Sequence, residues 1–156
     1  MKRRICLLVV VLFCVGIFSI GESNPGEALY NVNSVLANVI SANSGYANFK
    51  MNGNPIQWKA MKGQKKTFTH YLQAGKNYLW IVSGDNDTYD IDMTVYDIHG
   101  NIAAVDIRTP ECRGCEGTDA GVRLTVFQAG NYRIETNLFD AVHGYVDMVM
   151  IWRKFY

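Results

Sequence analysis

From Lys65 to the C-terminus the chain is cut at short intervals by turn-forming residues, and this punctuation restricts its fold more than any other feature. The separators are Ala74-Gly75-Lys76, Asp85-Asn86-Asp87, His99-Gly100, a loop around Cys112, Ala129-Gly130, and Ala141 to Gly144. The segments between them are rich in β-branched and aromatic residues and predict strands over 66–72, 77–83, 90–96, 101–107, 121–127, 131–137 and 144–152. No long helical pattern interrupts the series. Strands that follow one another without crossover helices pair antiparallel, so the expected class is all-β, a jelly-roll-like antiparallel sandwich.

An internal echo fixes which residues face inward. Leu72-Gln73-Ala74-Gly75 followed by Tyr78 resembles Phe127-Gln128-Ala129-Gly130 followed by Tyr132, with one extra residue in the first copy. Aligning the tyrosines sets Tyr78, Trp80 and Val82 beside Tyr132, Ile134 and Thr136, and strand alternation makes these the core positions. The opposite faces differ: Arg133 and Glu135 in one strand, Leu79 and Ile81 in the other. A strand that is apolar on both faces needs a cover on its outer side.

Residues 27–40 supply that cover. Leu29, Val32, Leu36, Val39 and Ile40 recur at helical spacing, Ser23 or Asn24 can cap the helix, Pro25 suits its first turn, and Glu27 meets the positive end of the dipole. One N-terminal amphipathic helix therefore leads the strands. Residues 41–55, rich in Ser, Asn and Gly, read as a linker with a short strand near 46–51.

The first residues describe export. Lys2, Arg3 and Arg4 precede an uncharged apolar run from Ile5 to Ile20, and small residues follow at Ser19, Gly21 and Ser23. This is the order of a cleavable signal peptide, with cleavage after Gly21 preferred over cleavage after Ser23. The 16-residue run falls short of the roughly 20 residues that span a bilayer. The expected organisation is a signal peptide over 1–21, helix and linker over 22–55, and a sandwich over 56–156, placed in a periplasmic or extracellular compartment. Without residues 1–21 the chain keeps 12 basic against 14 acidic side chains, a net charge of −2. A weakly acidic protein lacks the electrostatic footprint of a nucleic-acid binder.

Phe68 to Leu72, Ala74-Gly75 with Tyr78, Val95-Tyr96-Asp97 with Gly100, Ala129-Gly130-Asn131-Tyr132, and Gly144-Tyr145 carry a family likeness. Over about residues 66–152 the chain resembles the bacterial pre-peptidase C-terminal domain family. That resemblance implies a small jelly-roll sandwich of the kind appended to secreted peptidases and other exported enzymes. Here no peptidase precedes the domain.

Candidate chemistry is sparse. Asp85, Asp87 and Asp90 offer hard oxygens for calcium, the one cofactor the sequence suggests, against a plain solvated loop. Their spacing is not that of an EF-hand. Cys112 and Cys115 have redox spacing, but they sit between strands, where a structural disulfide fits better than a helix-activated thiol. His70, His99 and His143 stand singly, and no nucleophile or phosphate-loop motif occurs. Aromatic residues are more suggestive. Trp58, Tyr71, Tyr89 and Tyr96 are the candidates for exposed rings that stack on sugars, with Lys59, Lys62, Lys65 and Lys66 near the first. The expectation is a non-enzymatic binding or accessory module for a glycan or another envelope ligand. The alternatives are an interaction protein that docks a partner chain through its helix or a sheet edge, and then a small hydrolase.

Overall fold

The computed structural model describes residues 24–42, 50–51, 54–106, 119–142 and 145–155. Helix α1 (Pro25–Ala42) leads nine strands: β1 (Lys50–Met51), β2 (Ile56–Met61), β3 (Lys65–Leu72), β4 (Lys76–Gly84), β5 (Thr88–Tyr96), β6 (Ile102–Val105), β7 (Asp119–Val126), β8 (Gly130–Ala141) and β9 (Tyr145–Phe155).

The strands pair as one long ribbon folded back on itself. β5 pairs with β6, β4 with β7, β3 with β8 and β2 with β9, all antiparallel. Two further antiparallel pairings, β4 with β9 and β5 with β8, roll this ribbon into two sheets. The first sheet runs β2–β9–β4–β7, with β1 and β2 end to end along one edge of β9, and the second runs β3–β8–β5–β6. This is the strand order of a jelly roll, as the turn punctuation predicts.

The inward positions are those the echo selects. Tyr78, Trp80, Val82, Tyr132, Ile134 and Thr136 are all buried. Between the sheets they join Leu72, Ile91, Met93, Val95, Leu138, Met148 and Met150 in one cluster, apart from Thr136. The Tyr78 ring stacks on Trp80 at 5.8 Å and on Trp152 at 6.1 Å between centroids. At Gly75 the turn from β3 to β4 takes a φ of 74°, a left-handed angle that glycine adopts without steric cost.

A second cluster sits outside the first sheet. Ala28, Val32, Val35 and Leu36 of α1 pack on Leu79 and Ile81 of β4 and on Val149 and Ile151 of β9. The helix thus covers the strand that is apolar on both faces. Its buried stripe differs slightly from the expected one: Ala28 and Val35 take central places, Leu29 is only partly buried, and the side chain of Val39 lies outside the described ones. Asn24 caps the helix, its side-chain oxygen accepting the Glu27 N–H at 3.2 Å.

Strand β2 goes beyond the sequence expectation. Its six residues pair along β9 and alternate, with Ile56, Trp58 and Ala60 turned in and Gln57, Lys59 and Met61 exposed. The alternation is present in the sequence, but it directly follows a Gly- and Asn-rich stretch. Of the expected strand over 46–51, the described part is Lys50–Met51, and β8 runs four residues further than the punctuation suggests.

Candidate binding face

The middle of the first sheet's outer face lies under α1, which packs on β4 and β9. The outer face of β3–β8–β5–β6 is not covered by the helix and carries a row of exposed side chains. Register sets them in cross-strand rows: Tyr71 beside Asn131, then Thr69–Arg133–Tyr96, Thr67–Glu135–Thr94 and Lys65–Asn137–Asp92. Tyr71 is 65% exposed. Tyr96 is half-buried, and the Arg133 guanidinium lies 3.7 Å from its ring centre, which fixes the ring and occupies one of its faces. Tyr71 and Tyr96 flank β8 two residues apart in register, so their Cα atoms are about 12 Å apart for ordinary strand spacing and rise.

The charges on this face are largely paired with one another. Lys65 donates to Glu135 at 2.9 Å and Arg133 donates to the other oxygen of Glu135 at 3.0 Å. The bond to Glu135 holds the Lys65 ammonium above its ordinary pKa. Nearby, Lys62 pairs with Asp140 at 2.7 Å. The basic run of the sequence is therefore spent in part on carboxylates of β8. What remains is a surface of hydroxyls, amides and paired charge beside an exposed phenol ring.

The other aromatic candidates are distributed differently. Tyr89 is 55% exposed at the far end of β5, roughly 23 Å along the strand from Tyr96. Trp58 turns inward: it is half-buried, packs against the sandwich core and meets the Phe68 ring edge-on at 5.1 Å. The cause is its place on β2, where it shares the inward face with Ile56 and Ala60. Phe139, which the sequence reading passed over, is 59% exposed and falls on the outward alternation of β8. The signal that could have found it is that strand's extension past residue 137.

Among the described residues no three His, Cys, Asp or Glu side chains are grouped to hold a metal ion. Asp85, Asp87 and Asp90 are not brought together as such a group. Asp85 is buried and serves the backbone. Its Oδ1 accepts the Asp87 N–H at 3.2 Å, an Asx turn, and its Oδ2 accepts the Asp147 and Asn24 N–H groups. Beside it, between α1 and the β4–β5 loop, a polar cleft of about 270 Å³ is lined by Asn31, Ser34 and Asn38 together with Asn86, Thr88 and Asp119. Ser83 donates a short bond to Asp119 in this region. Cys112 and Cys115, with their expected disulfide, lie outside the described residues, as does His143.

His70 faces between the sheets. Its Nδ1 accepts the Trp80 indole N–H at 3.2 Å and its ring lies 4.7 Å from that of Trp152. Burial lowers its pKa. It is a half-buried histidine held by aromatic neighbours between the sheets. His99 sits in the β5–β6 turn, donating its backbone N–H to Asp97. Among the described residues no helix is long and apolar enough to cross a membrane. No protein-family model matches the chain, and no curated protein matches it.

Proposed function

We propose that this is an exported, non-enzymatic binding module, secreted or periplasmic, whose ligand surface is the outer face of β3–β8–β5–β6 and whose ligand is a glycan. One observation carries the reading. The sandwich face opposite the helix presents the exposed Tyr71 ring beside rows of Thr, Asn and paired charges. An exposed phenol supplies apolar area at low side-chain entropy cost, and flanking hydroxyls and amides supply the hydrogen bonds that a sugar requires. Because Lys65 and Arg133 share Glu135 and Asp92 adds a second carboxylate in the Lys65 row, the charges of this face balance, which suits a neutral sugar better than a polyanion.

The resemblance of residues 66–152 to pre-peptidase C-terminal domains agrees with an accessory role among exported proteins. Docking of a partner chain through the helix has less support, because the apolar side of α1 is already buried on β4 and β9. A glycan array tests the proposal. Selective retention on neutral glycans supports it. A blank array, together with stable self-association in light scattering, would replace it with the interaction-protein reading.

A further inference from the structure

We propose that Asn24 is the first residue of the mature chain, and that the ammonium freed there pairs with the buried Asp85 carboxylate to fasten α1 to the sandwich. The inference rests on the export reading and adds to it a processing site with a structural purpose. In the reaction water adds across the Ser23–Asn24 peptide bond and the C–N bond breaks. A carboxylate leaves on Ser23 of the leader, and the Asn24 nitrogen takes up protons to become an α-ammonium.

The geometry is already in place. Asn24 N lies 3.3 Å from Asp85 Oδ2. Asp85 is only 3% exposed, and the hydrogen bonds described for its carboxylate all come from backbone amides. A buried carboxylate without a cation is costly. A second carboxylate stands next to it. Asp147 is 6% exposed and its Oδ2 is buried without a partner. Asp147 alternates with Val149 and Ile151, which face the helix, so its side chain lies on the helix side of the sheet. An amide at Asn24 offers one hydrogen to this acceptor-rich pocket, whereas an ammonium offers three and a full charge.

The surroundings favour the charge. Glu27 and Asp87 add negative charge on the neighbouring helix turn and loop, against Lys59, the register partner of Asp147 and the basic residue on that side of β2. The helix dipole opposes a cation at this end, but the carboxylates outnumber it. Cleavage before Asn24 also spares the cap, since Glu27 bonds to the side chain and carbonyl of Asn24 itself. Gly21 and Ser23 hold the third and first positions before the cut, where small residues are required. Cleavage after Gly21 would leave Glu22 and Ser23 attached and bring no ammonium to Asp85.

Intact-mass measurement of the exported protein tests the site. A chain beginning at Asn24 is expected, and one beginning at Glu22 overturns the proposal. Thermal melts then compare recombinant chains 24–156 and 22–156. At pH 7 the shorter chain should melt several degrees higher. An ammonium whose pKa is raised by pairing stabilises below its unfolded value of about 8 and loses the effect as pH rises, so the gap should close near pH 10. Acetylating Asn24 should abolish the gap at pH 7, as should Asp85→Asn if that variant folds. Equal melting at pH 7 overturns the latch. Sugar retention is scored separately, so loss of the latch and loss of the binding reading are distinguishable.

Discussion

Truncating Leu36 to alanine tests whether α1 belongs to the fold. Leu36 is 5% exposed and shares a cluster with Leu79, Ile81, Val149 and Ile151. Removing a buried leucine side chain of this kind costs roughly 2–5 kcal/mol, the transfer of its methyl groups plus the cavity left behind. In a domain of this size each kcal/mol moves the melting temperature by about 2–8 °C, so Leu36→Ala should melt at least several degrees lower. Tyr30 on the same helix is 73% exposed, and Tyr30→Ala should stay within about 0.5 kcal/mol of the parent. Urea and thermal denaturation followed by circular dichroism read both. Ile81→Ala completes a double-mutant cycle, and residues in one cluster should couple by about 0.5 kcal/mol or more. Equal melting of the Leu36 and Tyr30 variants, with no coupling to Ile81, would refute the packing and return the helix to partner docking.

Acid should weaken the fold through His70. Its folded pKa is lowered by burial, so the unfolded chain binds more protons, and stability is complete above about pH 6.5 and falls as pH drops through that value. His70→Gln should flatten this part of a stability–pH profile, and an unchanged slope would place the acid sensitivity elsewhere. Gly84→Ala should destabilise by about 1–3 kcal/mol in urea melts, because a Cβ there would lie 1.9 Å from Thr88 Oγ1; parental stability would contradict that packing. Calcium in excess over chelator should leave the melting curve unchanged, since Asp85 is committed to backbone amides; a saturable rise would reinstate a metal site.

The sandwich was readable because its two signals are local. Glycines and Asx residues mark the turns, and the tyrosine echo fixes the inward parity of β4 and β8. The need for a cover over Leu79 and Ile81 was equally plain, since a strand apolar on both faces cannot face water. Strand β2 was obscured by the Gly- and Asn-rich stretch before it, and its burial depends on pairing with β9, the last strand of the chain. That same distant pairing turns Trp58 inward. Asp85 shows the corresponding limit for polar residues. Its acidic neighbours suggest solvent or metal, while its partners, Asn24 and Asp147, are brought to it only by the folded topology. The proposed ligand face emerges at this level too, for Tyr71 and Tyr96 are distant in sequence and are set on either side of β8 by its pairings with β3 and β5.

The most direct test of the proposed function is the affinity of Tyr71→Ala for whichever neutral glycan the parent protein retains, measured by isothermal titration beside a melting curve. Tyr71 is 65% exposed, so the variant should keep the parental melting temperature. An aromatic contact is worth about 0.5–1.5 kcal/mol beyond its buried area, so binding should weaken by roughly twofold to tenfold. Parental affinity in a folded Tyr71→Ala protein would contradict the assignment of this face as the ligand surface.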